Sequence, residues 1–587
     1  MQTFAALWVT LLFYLMLTFS SLGWGRVLVR LSGIRASWPG GIFSQIWLGW
    51  CGILFLLQFC HFLVPLDIYS STVVYGSGLF LGARSYLSWN MRSSSEIFGR
   101  IGRFSGLALL LFAVWVALRA MNAPDDFDSG LYHFNAIRWI NEYAIVPGLG
   151  NLQNRLAFNC AYLPFVASLN FYPWFNHGHN IGLSWLLLLM TAECFFASGR
   201  VWKAFRDEKE PAASDLCPAL LLPYLLYISC TMDLSSPQSD HASCLVRLTL
   251  YFYLWRNLIA KNKTEILVTT KFLLIYGITA TTIKMSNLAF AGTACLVAIL
   301  HCWTGESRSL GRFVKDLRPP ILIGMLILLT WLACGVVTSG YPLYPSTFLG
   351  FHTDWTINPV SAKRTAAWVF SWARCPFKEP ALVLRDWEWL RPWSLRVWQT
   401  QQTEVILPVE IFLATAFIVL ASVLRGRSTS GSFFRRYLGL LPVLAGLAFW
   451  FYLAPDTRFA DGLFWLLPLA VFICYLANET SIEARRNMLL LATFVMCLPL
   501  ALSASPVLTQ IVNFSDCGWR PIKKAPLIER VTAQGLKFYI PRESNQQGWD
   551  SPLPGTPYFD PTLQLRGRGL QSGFKTVARE DPSATFP

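Results

Sequence analysis

Apolar runs long enough to cross a lipid bilayer recur along the whole chain, and they limit its fold more than any other feature. A spanning helix needs about 20 mostly apolar residues. Of the 587 residues, 54% are hydrophobic and 14% are charged, whereas a soluble protein usually has about 25% charged residues. The sequence therefore predicts an all-α polytopic membrane protein. We predict fourteen spans, near residues 4–24, 43–65, 67–83, 102–121, 179–199, 215–232, 241–259, 267–283, 285–303, 319–339, 404–424, 437–454, 461–477 and 488–506.

The apolar runs are too long and too continuous for the strands of an outer-membrane barrel, which alternate in polarity over roughly ten residues. The first run has no basic residue before it. We therefore expect it to be a membrane span and not a cleaved signal peptide.

The short connections between the predicted spans differ in their content of basic residues. Lys and Arg are concentrated in one alternate set of connections, which contain for example Arg84, Arg200 and Lys315. Cytoplasmic loops carry an excess of Lys and Arg, so this set is predicted to be cytoplasmic. The N-terminus and the tail are then predicted to lie outside. The formal net charge of +15 follows largely from this topology and requires no nucleic-acid partner.

The predicted spans divide the chain into six segments. The cytoplasmic loops are too short to hold a domain, so any chemistry is expected on the outer face or in the outer half of the membrane. In the tail, the strand-like run LKFYI predicts a small ordered cap. The segments are the N-terminal transmembrane helices (1–120), a first long outer loop (121–178), a transmembrane core (179–339), a Trp-rich outer loop (340–403), the C-terminal transmembrane helices (404–506) and an extracytoplasmic tail (507–587).

An acidic cluster follows the fourth predicted span, at the point where the chain leaves the membrane. The stretch APDDFDSGLYHFNAIRWINEY places Asp125, Asp126 and Asp128 within four positions, ahead of Tyr132 and His133. The residues after the acids are typical of an amphipathic helix. An interfacial helix with a solvated acidic cap is an alternative interpretation, because acids favour a helix N-terminus.

Other polar residues fall at the outer ends of other predicted spans. Ionisable groups near a membrane are costly and tend to mark function. Taken singly, each is also typical of a solvated loop. Because the predicted topology places them all on one face, we expect them to line one cavity with the acidic cluster. These candidate binding residues are Asp233, Asp240, Lys284, Tyr341, Tyr344, Asp456 and Arg458, together with Asp125, Tyr132, His133, Arg138 and Arg155 of the first outer loop.

These residue types suit the transfer of a group from a phosphate to a hydroxyl. One carboxylate can accept the proton of the attacking hydroxyl. A second can position that hydroxyl or, as Asp126 and Asp128 together, a divalent metal such as Mg²⁺ or Mn²⁺. Lys284, Arg458 and the other candidate cations are expected to bind the phosphate. The sequence has no GxSxG, HExxH or Walker motif, so it does not point to those hydrolase and nucleotide-binding classes.

The polytopic core, the acidic loop DDFDSGLYH, the polar outer loops and the outer tail together resemble the GT-C glycosyltransferase superfamily. This resemblance implies an inverting membrane enzyme. Such an enzyme moves a sugar from a polyprenyl-phosphate donor to a glycan, lipid or protein acceptor on the extracytoplasmic face. It also implies that Asp128, or as second choice Asp126, is the general base. In many members the acidic loop follows the first span, whereas here it follows the fourth.

A longer stretch is similar to a family of uncharacterised bacterial integral membrane proteins. The similarity lies in FDSGLYHFNAIRWINEYAIVPGLGNLQNRLAFN, SGYPLYPS and WDSPLPGTPYF. It implies a protein of the bacterial inner membrane and assigns no activity.

Two other functions are compatible with the sequence. A transporter or flippase of a lipid-linked or small polar substrate would also use many helices and intramembrane charge. It should show interrupted helices in two matching halves and binding groups near the midplane. A non-catalytic polysaccharide-assembly protein would need neither interrupted helices nor binding groups near the midplane. The acids lie at one predicted surface, which favours the transferase.

The second outer loop holds seven tryptophans. Tryptophans are enriched at membrane–water interfaces, so we expect most of them to form an aromatic belt on interfacial helices. A surface that stacks on carbohydrate or guides lipid is the alternative. The seven are Trp355, Trp368, Trp372, Trp387, Trp389, Trp393 and Trp398.

Most of the fourteen cysteines fall within predicted helices, where a thiol behaves as a small apolar side chain. Cys160, Cys375 and Cys517 are predicted to lie outside. One disulfide among these three is compatible with the sequence, which does not assign the pair.

Overall fold

The computed structural model describes residues 2–34, 41–87, 103–304, 309–424, 437–478, 482–502, 518–532 and 534–576. The longer helices of the first part are α1 (Gln2–Leu31), α2 (Gly41–His61), α3 (Ile68–Leu87), α4 (Arg103–Ala120), α5 (Phe134–Glu142), α6 (Tyr162–Ser168), α7 (Gly182–Arg206), α8 (Ala213–Thr231), α9 (Ser239–Ile259), α10 (Lys263–Ile283), α11 (Leu288–Thr304) and α12 (Leu310–Ser339). Those of the second part are α13 (Pro359–Arg374), α14 (Leu390–Thr400), α15 (Leu407–Leu424), α16 (Leu440–Leu453), α17 (Leu463–Asn478) and α18 (Ile482–Leu502).

The all-α, membrane-like core that the sequence predicts is confirmed. Within the described residues, 9 helices are long and apolar enough to cross a membrane, judged by length and composition. Two shorter apolar helices are Gly106–Ala120 and Leu440–Leu453. A helix lies at each of the fourteen predicted positions, but α9, which carries Asp240 and Arg247, is not among the 9. The count of fourteen spans therefore stays a prediction.

Small residues bring the first three helices into close backbone contact. A Cβ atom at Gly23 of α1 would overlap the backbone of Gly78 in α3, and one at Gly49 of α2 would overlap the carbonyl of Ser21. Lipid tails are as apolar as leucine, so helices in a membrane associate through close packing and not through the hydrophobic effect. The glycines of α1, α2 and α3 provide that packing.

Some buried polar side chains link helices of the bundle through hydrogen bonds. Glu193 of α7 is buried and accepts hydrogen bonds from Trp47 Nε1 (3.1 Å) and Tyr253 Oη (2.8 Å). Such interhelical hydrogen bonds contribute about 0.6 kcal/mol each on average in a membrane protein. Glu193 thus links α2, α7 and α9, and we give it a structural role.

The first outer loop folds against the bundle. A π-helical turn (Ser129–His133) leads into α5, on which Phe134, Ile137 and Trp139 are all buried. Asn141, also buried, donates to two backbone carbonyls, at 2.6 and 2.8 Å. The amphipathic helix that the sequence predicts is present. Its apolar side chains face protein and not lipid.

The tail adds two small antiparallel hairpins to the helical core, so "all-α" applies to the core alone. The strands are β1 (Leu527–Val531), β2 (Lys537–Pro541), β3 (Leu563–Leu565) and β4 (Phe574–Thr576), with β1 paired to β2 and β3 to β4. The strand predicted at LKFYI is β2.

The tail packs on the first outer loop. The Trp549 backbone amide donates to the Gly130 carbonyl (2.8 Å), and Tyr558 Oη donates to Asn154 (2.9 Å). Near the start of the described tail, the Trp519 ring stacks on His177 with centroids 5.0 Å apart. The tail and the first outer loop therefore lie on the same side of the bundle, as the predicted topology requires.

Two of the three cysteines predicted to lie outside are present as free thiols. Cys160 and Cys375 are both unpaired, so no disulfide joins them. Cys517 lies outside the described residues.

Candidate active site

Four connections between helices meet at one end of the bundle and bring the predicted polar residues together. They are the α4–α5 connection with Asp126 and Asp128, the α8–α9 connection, the α10–α11 connection with Lys284, and the α16–α17 connection. Arg458 Nη1 donates to Asp128 Oδ2 at 2.8 Å, across 330 positions of sequence. This ion pair joins the first outer loop to the α16–α17 connection.

A second cation lies beside the first, with an aromatic ring between them. The Arg458 guanidinium lies 4.9 Å from the centroid of Phe459, and Lys284 Nζ lies 4.2 Å from the same centroid. Lys284 also forms an ion pair with Asp240, which is buried at the start of α9. A cation over an aromatic face is stabilised by about 0.5–2 kcal/mol. The ring of Phe459 therefore contacts both groups, while burial and the charge of Arg458 lower the pKa of Lys284 to about 7.

Asp126 is bound by hydroxyl and amide groups, with no cation in contact among the described residues. Its Oδ2 accepts from the Ser129 backbone amide (3.1 Å) and from Ser129 Oγ (3.2 Å). Ser129 Oγ in turn lies 2.7 Å from Ser236 Oγ in the α8–α9 connection. Arg458, which acts electrostatically on Asp126, forms its ion pair with Asp128 instead.

The two carboxylates have opposite electrostatic environments. Burial, followed by the negative charge of Asp128, raises the pKa of Asp126, although Arg458 and the Ser129 hydrogen bonds oppose this. Burial alone would raise the pKa of Asp128 too. The positive charges of Arg458 and Arg155 outweigh it and hold that pKa below its usual value. Asp126 thus has the higher proton affinity.

The back of the site is formed by the first outer loop. Tyr132 and His133 are in ring contact (4.2 Å between centroids), and His133 Nδ1 is buried without a hydrogen-bond partner among the described residues. Burial lowers the pKa of His133 to about 4, so this ring is neutral at pH 7. Arg155, in the turn Asn154–Ala157, is partly exposed and acts electrostatically on both Asp128 and Tyr132.

The tail contacts the outermost acid. Asp125 is exposed, its carboxylate binds Lys523 Nζ (2.8 Å), and its backbone amide donates to Asp233 (3.2 Å). Lys523 Nζ also lies 4.9 Å from the Trp549 ring centroid. A Cβ atom at Gly130 would lie 2.6 Å from the Trp549 ring, so only glycine allows this approach.

Two of the predicted binding residues lie away from the site. Arg138 pairs with Glu142 (2.8 Å) and with Asp550 of the tail (3.4 Å). Tyr341 is buried in a small apolar cluster and donates to the Ile357 carbonyl at 2.8 Å. Both side chains are used in packing, because the tail and the second outer loop close over them.

Two further predicted residues lie at the edge of the site. Tyr344 is buried, donates to Thr365 (3.3 Å) and acts electrostatically on Arg155. Asp456 accepts from the Arg458 backbone amide (3.2 Å), and its carboxylate lies 3.6 Å from Arg458 Nε. Asp456 therefore orients Arg458.

Three residues that contact the site residues were not predicted from the sequence. Ser236 and Phe459 stand inside the stretches MDLSSPQSDHASC and APDTRFADG, beside acids that were singled out, but neither ionises. Lys523 lies in the tail, far from the site in sequence. Patterns of charge in a sequence point to ionisable groups near the membrane, whereas the contacts of Ser236, Phe459 and Lys523 depend on tertiary packing.

The donor set does not fit a preformed metal centre. Among the described residues, no group of three or more His, Cys, Asp and Glu side chains could hold an ion. One oxygen of Asp128 is bound by Arg458 and one oxygen of Asp126 by Ser129.

Comparison with known proteins gives a family and no activity. A family described as a domain of unknown function (DUF8201) matches residues 8–465. No curated protein and no solved structure matches the chain. The matched range covers most of the chain and includes every residue of the site described above except Lys523 and Trp549. The chain belongs to this DUF8201 family.

Proposed function

We propose that the chain is a GT-C-type membrane glycosyltransferase that moves a sugar from a polyprenyl-phosphate donor to a hydroxyl of a glycan, lipid or protein acceptor. The observation that carries this proposal is the pairing of two unlike carboxylates with converging cations at one end of an apolar bundle. Groups whose environments push their pKa values apart are typical of acid–base sites. A lipid-borne phosphate would reach this depth from within the membrane.

The cations suit the phosphate of the donor. Lys284 and Arg458 lie on the same aromatic ring, and Arg155 lies on the first-loop side of the site. Charge-assisted hydrogen bonds to phosphate are short and about twice as strong as neutral ones. Asp128 and Asp240 keep two of these cations in place before the donor binds.

The acids suit the deprotonation of the acceptor. We assign Asp126 as the general base, because its pKa is raised, and Asp128 as the residue that positions Arg458. The acceptor oxygen attacks the anomeric carbon and passes its proton to Asp126. The bond between that carbon and the phosphate oxygen breaks, and polyprenyl phosphate leaves with the electron pair. One displacement inverts the anomeric configuration.

The proposal includes a topology. We place the protein in a bacterial inner membrane with fourteen spans, both ends and the site being extracytoplasmic. The same-side packing of tail and first outer loop supports this arrangement. A cysteine introduced at Arg542 should react with an impermeant maleimide added to intact cells, whereas one introduced at Lys209 should react only after the membrane is permeabilised. Labelling of both from one side would contradict the topology.

The test of the activity is transfer by the purified wild-type protein in liposomes. Polyprenyl phosphates that carry different radiolabelled sugars are supplied, and the release of polyprenyl phosphate is measured together with the labelled acceptor. Release coupled to transfer supports the proposal. Movement of intact lipid-linked sugar between leaflets without release would instead identify a flippase. Neither reaction with any donor would support an assembly role.

A further inference from the structure

The tryptophans of the second outer loop range from buried to mostly exposed. Trp389 is 6% exposed and packs with Trp393 and Phe451, whereas Trp387 is 61% and Trp398 is 56% exposed. The inward face is fixed by specific bonds, such as Trp393 Nε1 to the Pro455 carbonyl at 2.7 Å. Trp387 stacks on Trp389, with centroids 5.5 Å apart, so it contributes to the packing of the loop although most of its surface stays exposed.

Helix α13 has an inverted pattern of side-chain size. Its buried positions include Ala362 and Thr365, while Val360, Trp368 and Trp372 are exposed. A helix against water would bury its large apolar side chains and expose its small ones. An exposed apolar patch of this kind marks a contact with a membrane or a partner.

Both ends of the loop are attached to long apolar helices. Helix α12 ends at Ser339 and α15 begins at Leu407. The loop thus has to stay near the membrane surface. The exposed Phe377 and Leu382 at its turn add apolar surface.

The charge of the loop complements an anionic surface. Residues 359–400 contain 7 Lys or Arg and 3 Asp or Glu. Among the described residues, the exposed cations Lys363, Lys378 and Arg391 form no ion pair. An amphipathic surface with aromatic and basic side chains is the pattern that binds an anionic lipid surface.

We propose that the outward face of residues 359–400 docks onto the anionic phospholipid headgroups of the leaflet on which the candidate site opens. Its inward anchors end on the connection that carries Arg458, since Arg374 donates to the Leu453 carbonyl (2.9 Å) and Trp393 binds that of Pro455. Docking of the loop onto lipid therefore fixes the depth of the α16–α17 connection, which carries Arg458, relative to the bilayer. This inference does not depend on the reaction proposed above.

The test uses the full chain in nanodiscs with a fluorophore at Leu382→Cys. Quenching is measured with headgroup-nitroxide phosphatidylglycerol and with the same label on phosphatidylcholine, and protein lacking this cysteine supplies the background. A cation near an anionic membrane surface contributes about 1 kcal/mol, or roughly fivefold in affinity. We expect phosphatidylglycerol to be preferred by at least that factor. The triple variant Lys363→Gln, Lys378→Gln and Arg391→Gln should bring the ratio close to one.

The matched control removes three exposed cations of the tail, in Arg530→Gln, Arg542→Gln and Arg568→Gln, and should keep the wild-type ratio. An equal loss of the preference for phosphatidylglycerol in this control would show a general charge effect and overturn the proposal. Strong quenching with no headgroup preference would overturn it as well. No quenching by either lipid would show that this face is exposed to water, as a carbohydrate-binding surface would be, and would also overturn the proposal.

Discussion

Replacement of Asp126 or Asp128 by asparagine should change stability in opposite directions. Asp128→Asn removes the partner of Arg458, whose ion pair spans 2.8 Å with side chains that are 19% and 40% exposed. Breaking a fully buried pair costs about 3–5 kcal/mol, whereas an exposed pair contributes about 0–1 kcal/mol. The partial exposure, and Asp456 at 3.6 Å as a second partner, place the expected loss near 1–2 kcal/mol.

Asp126→Asn should instead stabilise the protein at neutral pH, by about 0.5–1 kcal/mol, the usual range for a relieved local conflict. It removes a desolvated charge beside Asp128, and the asparagine oxygen can still accept from Ser129. A group with a raised folded pKa contributes stability at low pH that is lost as pH rises through that pKa. The gain from Asp126→Asn should therefore disappear in acid.

The stability contributed by Asp128 depends on pH in the opposite direction. Its pKa is lowered in the folded state, so its contribution is present above the unfolded pKa and is lost as pH falls. The assay is thermal unfolding in detergent at pH 7 and in acid, with the exposed Asp125→Asn as control. Shifts of the same sign for both variants at pH 7 would refute the assignment of unlike environments.

Two further predictions concern the tail and the phosphate site. Gly130→Ala should loosen the tail, because the added Cβ would meet the Trp549 ring at 2.6 Å; limited proteolysis should cleave the tail faster than in Gly199→Ala, where the Cβ meets open space, and equal rates would contradict the packing. Arg155→Gln should weaken binding of polyprenyl phosphate roughly 10–100-fold, the equivalent of a charged hydrogen bond of about 1.5–3 kcal/mol. Titration in nanodiscs measures this, with Arg138→Gln as the control that should bind like wild type, and a similar loss in both would argue against a role specific to Arg155.

Much of the fold and part of the site could be predicted from sequence. The apolar runs fix where helices form, because helices satisfy backbone hydrogen bonds within one segment. The alternation of basic loops placed Asp128, Lys284 and Arg458 on one face, and the structure brings them together. These predictions succeeded because they rest on periodicity and charge, which are local properties.

Contacts that depend on long-range packing could not be predicted from the sequence. Arg138 has the same charge as Arg458, and only the fold of the tail shows that it binds Asp550 instead. Which of Asp126 and Asp128 is bound by Arg458 likewise follows from the fold, and the choice of the base between them stays a prediction. Spacing along the chain is nearly the same for both acids, so sequence alone could not decide between them.

The central claim is that Asp126 is the base of a transfer from a lipid-linked donor, and one rate comparison tests it most directly. Single-turnover transfer is measured for the wild type and for Asp126→Asn, at a donor concentration that saturates both. A positioned base contributes about 10²–10⁴-fold, so we predict a loss of that size in Asp126→Asn with donor binding unchanged. Wild-type transfer by Asp126→Asn, in protein that binds donor normally, would contradict the claim.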